Sequence, residues 1–409
     1  MEIEGAARAS QLGRQTPSQL LTGKIVALLA GLAAIGMLST NIILPAFPEI
    51  SQDLGVSARE LGFTLSSFFI AFALGQLVVG PLADRYGRQK LVLGGLSVFV
   101  GGTALGGLAT TLEILIVARV IQALGVCAVS VLSRAIARDL FEGETLARAL
   151  SLTMIATATA PGFSPLAGSI LSATLGWRAI FILVGLAAVF LAVFYVRELG
   201  ETHPADRRAS HSAGQVVLAY GKLVLDKRFI LPALSMSLLM SGLFASFGAA
   251  PIILMEGFSL SAVQAGLYFA ATVFVVFAAG MAAPRLAHHY GPANITVLGI
   301  ACAMIGGILL FAGPANPSMW SYVPAVIMYL WGMGLANPLG TAIAMGPFGR
   351  EAGLASALLG FLTMSAAALT TWLGSTLNAT PVTTLGGIQS VVCLIAVMLF
   401  LLGRRPVKL

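Results

Sequence analysis

Charge is what this sequence lacks most. Of its 409 residues only 10% are Asp, Glu, Lys or Arg, while 58% are hydrophobic and the mean hydropathy is +0.94. A water-soluble chain carries charge at roughly a quarter of its positions, so this composition excludes one and requires contact with lipid. Cysteine is scarce too. Cys127, Cys302 and Cys393 all lie in apolar runs, which points to neither a disulfide framework nor a thiolate zinc site. The scarcest feature is an acid inside an apolar run. All sixteen Asp and Glu residues fall at the ends of runs or between them, and the four histidines, 203, 211, 288 and 289, lie in polar loops. An intramembrane enzyme needs a metal-binding or nucleophile–base constellation, and no embedded residues exist to build one. No enzyme activity, cofactor, metal or nucleic acid is therefore expected.

What the chain has is apolar length. Twelve runs, at roughly 24–45, 61–83, 91–111, 114–134, 148–171, 179–196, 229–252, 263–284, 294–313, 321–345, 352–374 and 384–402, each suffice to cross a ~30 Å hydrocarbon layer with ~20 residues. Without water to satisfy backbone groups, such runs must be helices. Lys and Arg are distributed one-sidedly between them. Twenty fall on the side of the two termini, two (Arg59 and Arg178) on the opposite side, and Arg119 within a run. The positive-inside rule then predicts cytoplasmic termini. Residues 1–23 read as a polar cytoplasmic arm without the apolar core of a cleavable signal. The longest polar stretch, 197–228, reads as a cytoplasmic linker between two six-helix bundles, 24–196 and 229–402. Residues 403–409 form a short cytoplasmic tail.

Polar groups inside the runs single out candidates for function. Ser39, Thr40 and Asn41 stand together in the first run, shortly before Pro45, and Arg119 sits about six positions into the fourth. At 1.5 Å per residue both places lie roughly 6–9 Å below the same boundary. A central arginine costs on the order of 3 kcal/mol by insertion scales, so it faces a cavity or a partner. Two readings stand for Arg119: hydrogen bonds to carbonyls of a neighbouring span, or handling of substrate or protons. The Ser39–Asn41 group either caps its helix end or forms a neutral hydrogen-bonding face near Arg119.

The second and third runs are joined by GPLADRYGRQK (80–90), the eighth and ninth by PRLAHHYGP (284–292). Leu82, Ala83, Tyr86 and Gly87 recur as Leu286, Ala287, Tyr290 and Gly291, an offset of 204 residues. A parallel six-span repeat is a transporter architecture with substrate bound between the halves at the midplane. The loop Gly80-Pro81-Leu82-Ala83-Asp84-Arg85-Tyr86-Gly87-Arg88 resembles the signature of the major facilitator superfamily. Arg119-Val120-Ile121-Gln122-Ala123-Leu124-Gly125, followed by RAIARDLF (134–141), resembles the fourth-span motif of its twelve-span drug:proton antiporters. APGFSPLAG (160–168) and LGWRAIF (175–181) are similar to the bicyclomycin/chloramphenicol-resistance (Bcr/CflA) branch of that group, and AGLASALLGF (352–361) resembles its eleventh span.

The resemblance implies an all-α fold of twelve transmembrane helices in two bundles, and an inner-membrane, multi-pass efflux antiporter of antibiotics or other small molecules. It implies a conformational latch at Gly80, Asp84, Arg85, Gly87 and Arg88, with Asp84 expected to pair with Arg134 or Arg138 at the end of span four, and Gly80 expected to allow close helix approach. It implies an antiporter motif at Pro161, Gly162, Pro165 and Gly168, with the prolines interrupting span five. Substrate-lining candidates are Met37, Thr40, Asn41, Phe68, Arg119, Gln122, Met154, Phe244, Tyr268, Asn337 and Phe361. The resembling antiporters usually carry the proton-handling acid at the position of Asn41, whose amide cannot titrate. Three readings follow. A peripheral acid, Glu113, Glu256 or Glu49, moves in to couple protons; transport is uncoupled or coupled otherwise; or Arg119 serves an anionic substrate directly, as for a transporter of organic anions, siderophores or metabolites. The expected partners are a small-molecule substrate and the lipid bilayer, with protons in the first reading only, and the chain is expected to act as a monomer.

Overall fold

Ser57 opens the second crossing helix with a capping box: its hydroxyl accepts from the Glu60 amide while the Glu60 carboxylate accepts from the Ser57 amide. Ser261 and Gln264 repeat the device at an offset of 204 residues. The two helices they start, Ala58–Tyr86 and Ala262–Tyr290, are both 29 residues long. Each ends on a single glycine at positive φ, Gly87 (94°) and Gly291 (83°), after which the next helix begins at once. That backbone region is strained for residues with a Cβ. The internal repeat is therefore three-dimensional, from cap to turn.

The structure is a computed structural model that describes residues 22–204, 213–314 and 316–404, with Ala213 and Arg350 by backbone alone. Most of the expected N-terminal arm, the centre of the linker and most of the tail lie outside these residues. Among the described residues there are helices and no strands. We number the α-helices α1 Gly23–Asn41, α2 Phe47–Leu54, α3 Ala58–Tyr86, α4 Arg88–Gly107, α5 Leu112–Leu140, α6 Gly143–Leu175, α7 Arg178–Glu198, α8 Ala213–Leu225, α9 Lys227–Ala250, α10 Ala262–Tyr290, α11 Pro292–Ala312, α12 Met319–Met345, α13 Ala352–Thr376 and α14 Pro381–Gly403. A short π-helix, Pro251–Gly257, extends α9. Eleven of the crossing helices are both long and apolar enough to span a membrane. The twelfth, α6, has the length, at 33 residues, but carries Thr, Ser, Gly and Pro throughout.

Helices α1 and α3–α7 form one bundle and α9–α14 the other. Close pairs use small residues, as helices in lipid do. A Cβ on Gly95 of α4 would lie 2.7 Å from the Gly125 carbonyl of α5, and one on Gly299 of α11 would lie 2.6 Å from the Gly332 carbonyl of α12. Lys24 at the start of α1 pairs with Glu198 at the end of α7 (3.0 Å), and Arg404 after α14 bonds Asn294 at the start of α11. The start of α1 and the end of α14 lie at one end of the molecule, called here the terminal end.

The bundles join through α3 with α13 and α6 with α10. The far end is fastened. Arg59 donates to the carbonyls of Leu377 (3.0 Å) and Ala379 (3.1 Å), and Ser66 bonds Thr371 at 3.0 Å. On the other seam, Gly162 of α6 faces Val273 of α10, and Gly266 faces Leu166. The α6 stripe that makes these contacts continues toward the terminal end as Ala158, Ile155 and Ser151, and there it is exposed. The bundles close at the far end and part along the α6–α10 seam toward the termini.

Candidate functional site

Pro45 has no N–H to offer the carbonyl of Asn41, and α1 stops there. Its last turn carries the three polar residues, all buried. Their side chains bond back onto their own helix: Ser39 and Thr40 hydroxyls donate to the Gly36 carbonyl at 3.0 and 2.8 Å, and Asn41 Nδ2 donates to the Met37 carbonyl at 2.8 Å. Carbonyls of a last turn have no partner within the helix. That of Ser39 accepts from Arg119 Nη1, reaching across from α5 at 3.1 Å. The same nitrogen donates to Gln122 Oε1 at 2.9 Å, and Gln122 Nε2 donates to Thr103 Oγ1 of α4 at 2.8 Å. Phe68 of α3 places its ring centroid 4.5 Å from the guanidinium carbon, a cation–π contact.

Four helices therefore converge on one cation that is 1% exposed. Arg119 Nε and Nη2 and Asn41 Oδ1 have no hydrogen-bond partner among the described residues. Of the Asp, Glu, Lys, Arg and His side chains described, only Arg88 and Arg119 are buried. Arg119 has no carboxylate beside it.

Of the expected lining residues, Phe68 and Gln122 touch Arg119, while Met37, Thr40 and Asn41 lie in the end of α1 whose Ser39 carbonyl it bonds. Arg119 bonds a neighbouring span's carbonyl, the first of its two readings, and its Nε and Nη2 are without a partner among the described residues. Phe244 joins the group across the bundle seam through Phe69, ring centroids 4.8 Å apart. A chain of ring contacts continues through Phe247 and Phe269 to Tyr268, which lies against Tyr322. Three expected lining residues stand apart. Met154 is 67% exposed, near the diverging part of the α6 stripe. Phe361 packs with a cluster around Leu223 and Leu358. Asn337 is half-buried in α12. Thr103 was missed, because one threonine in an otherwise apolar run carries little signal.

The peripheral acids stay away from Arg119. Glu113 and Glu256 are exposed at the far end. Glu49 of α2 is held by the Ser172 hydroxyl and by the Trp177 amide at 3.2 Å. Asp53, one turn on, accepts from the Trp177 indole at 3.1 Å and from Arg178 at 2.6 Å.

The signature loop differs in its pairing from the expectation. Asp84 bonds Arg88 Nη1 at 2.7 Å, and Arg88 Nε bonds Asp139 of α5 at 3.0 Å. Arg134 and Arg138, the expected partners of Asp84, are exposed and outside this network. The reason is local: the Gly87 turn starts α4 on Arg88, four residues from Asp84, and puts that guanidinium between both acids. The Arg88 amide also donates to Glu201 at 2.8 Å, tying the loop to the first residues of the linker. Arg85 lies over the Tyr86 ring at 5.4 Å. A Cβ on Gly80 would meet nothing within 4 Å, so close approach at Gly80 is not what this conformation uses.

Pro81, next to it, has a visible consequence. Its missing N–H leaves the carbonyl four residues earlier, that of Leu77, without a helical donor. The Tyr220 hydroxyl of α8 donates to it at 3.2 Å. Burial, with Asp84 adding to the effect, pushes the Tyr220 hydroxyl up to about 12, so it keeps its proton and stays a donor at neutral pH.

Pro161 and Pro165 do not interrupt span five; α6 runs through both as one helix. Its glycines explain its position. A Cβ on Gly168 would collide with the carbonyl of Ile42, just past the end of α1, and one on Gly162 with Val273 of the other bundle. The motif lets α6 lie against α1 and α10 at once.

The comparisons agree with this architecture. A transporter named YdgK from Bacillus subtilis (strain 168) is 29% identical over 376 residues, covering 91% of this chain and 93% of that protein. Multidrug resistance protein D of Escherichia coli (strain K12) is 26% identical over 383 residues, 92% of this chain and 95% of that one. The crystal structure of a D-xylose-proton symporter superposes with a TM-score of 0.70 at 16% identity, over 91% of this chain and 96% of that chain, a likeness of fold. The Major Facilitator Superfamily model matches residues 29–371. A membrane-embedded polar site, two repeated bundles and that match make the chain a member of the Major Facilitator Superfamily, a multi-pass membrane transporter of small molecules and not an enzyme.

Proposed function

We propose that this protein exports small amphipathic molecules across the bacterial inner membrane by alternating access, as a monomer with both termini cytoplasmic. One observation carries the reading. The buried polar site on Arg119 sits beside a bundle junction that is fastened at the far end and parts toward the termini. The site is shut here, with Arg119 1% exposed; rocking the bundles about this junction would open it to one side of the membrane and then to the other. Three things support export. The charge asymmetry puts the parted end in the cytoplasm. The motif succession at 119–125, 160–168 and 175–181 resembles the Bcr/CflA branch. A relative similar over nine-tenths of the chain is named a multidrug resistance protein. The Asp84–Arg88–Asp139 network lies within the first bundle, where it fixes the ends of α3, α4 and α5 while the terminal end is parted; in this reading the signature loop latches onto the second bundle only when that end closes, and Gly162 and Gly168 are the seats on which α6 rides during exchange.

Coupling through an embedded carboxylate is not part of the proposal. Asn41 stands where the resembling antiporters have an acid, and no acid is buried among the described residues. Reconstituted protein enclosing a pH-sensitive dye tests both points with a panel of chloramphenicol, other amphipathic drugs and aromatic carboxylates. We expect at least one compound to move, movement to fall at least tenfold in Arg119→Ala, and no substrate-dependent proton flux. A panel that stays still refutes export. Proton flux in the wild type refutes uncoupled transport and favours coupling by a peripheral acid, Glu113, Glu256 or Glu49.

A further inference from the structure

A guanidinium has two edges that bind differently. Nη1 of Arg119 is spent on the Ser39 carbonyl and on Gln122. The two nitrogens left free, Nε and Nη2, are the pair on its side edge. Their N–H bonds run parallel, and that edge matches the two oxygens of a carboxylate. The cation is buried, and Phe68 offsets only part of the cost of its uncompensated charge. A neutral amide oxygen such as Asn41 Oδ1 cannot supply the missing charge.

We infer that the Nε/Nη2 edge of Arg119 takes the carboxylate of an amphipathic substrate, whose apolar body lies along Phe68, Phe69 and Phe244. The inference rests on the export reading above and names its substrate class as singly charged aromatic or apolar acids. A single negative charge matches the single cation, whereas a dianion would bring a second buried charge without a partner. The aromatic side chains follow from the ring contacts that lead from the guanidinium through Phe68 and Phe69 to Phe244 of the other bundle. In this conformation the site is shut, and access requires the Phe69–Phe244 contact to part.

The test compares 2-naphthoate with 2-naphthamide, which share shape and differ in charge, by fluorescence titration of the purified full-length protein in nanodiscs. We expect naphthoate to bind at least tenfold tighter than naphthamide, and this preference to vanish in Arg119→Gln. Asn41→Asp keeps the test decisive if Arg119→Gln does not fold. It places a counter-charge two residues from the carbonyl that already bonds the guanidinium, so naphthoate affinity should fall at least tenfold while the melting temperature stays equal or rises. Equal binding of the two probes, or undiminished naphthoate binding in Asn41→Asp, overturns the inference. The transport panel separates this result from the broader reading: export confined to neutral drugs such as chloramphenicol sinks the carboxylate site and leaves export standing, whereas naphthoate selectivity without any transport sinks export alone.

Discussion

Gln122 is the residue on which the candidate site balances. Its oxygen accepts from Arg119 and its nitrogen donates to Thr103. Gln122→Leu removes both bonds and leaves a buried guanidinium with one acceptor. Leaving a buried partner of a charged group unsatisfied costs about 1–3 kcal/mol, more than a neutral pair. Thr103→Val breaks only the outer bond and is expected to cost about 1 kcal/mol. Thermal unfolding in detergent should therefore show the larger loss for Gln122→Leu, and a reversed order would mean that Gln122 does not bear on Arg119. The residues legible in the sequence at this scale are those whose presence in lipid is expensive. Arg119 and the Ser39–Asn41 group stood out because burying them demands partners. Thr103 did not, since a threonine can return its hydroxyl to its own helix, as it also does here on the Phe99 carbonyl at 2.7 Å. Which edge of the guanidinium stays free is a matter of rotamer and neighbours, and no sequence pattern encodes it.

The elements show where sequence and structure part. Eleven of the twelve crossing helices follow from apolar length alone, and α6 has the length without the apolarity. The helix α8 does not follow, because it lies inside a stretch that reads as polar linker. Its Leu223 is buried against the second bundle, and Tyr220 completes the α3 carbonyl that Pro81 leaves free. This pairing makes a two-variant prediction. Tyr220→Phe should destabilise the protein by about 0.5–1.5 kcal/mol, the usual net worth of one hydrogen bond. In a Pro81→Ala background the alanine N–H can serve the Leu77 carbonyl itself, and the same change should cost almost nothing. Equal losses in both backgrounds would show that Tyr220 acts only through packing. The prolines of α6 teach the opposite lesson. Proline reads as a breaker in a sequence, yet a long helix held on two sides absorbs Pro161 and Pro165.

At the scale of the whole molecule, the repeat was readable from six residues at an offset of 204, and the structure extends it to caps and glycine contacts. The conformation was not readable, because states of a transporter share one sequence and differ by a few kcal/mol at most. Two measurements check it. A Cβ on Gly62 would lie 3.4 Å from Cβ of Ser375, at the short edge of the ~3.5–4.5 Å found across disulfides. Gly62→Cys with Ser375→Cys, in a background with Cys127, Cys302 and Cys393 replaced, should cross-link on oxidation, stop transport and recover on reduction. Transport that continues in the cross-linked protein would show that the far end need not open. In the same background Ile155→Cys should react with a water-soluble maleimide several-fold faster in the cross-linked protein than Val273→Cys. The second position faces Gly162 across the closed seam.

Arg59 fastens the far end to two main-chain carbonyls, those of Leu377 and Ala379, and to no side chain among the described residues. The clasp is thus indifferent to what residues 377 and 379 are, provided the chain keeps its path. Every replacement there except one that moves the backbone leaves the acceptors in place, while any replacement of Arg59 removes both bonds at once. Mutational tolerance should therefore be lopsided across this contact. A saturation scan selected for transport would find position 59 restricted and positions 377 and 379 permissive, so this clasp would be inherited through a single codon, whereas the Ser66–Thr371 bond beside it depends on two.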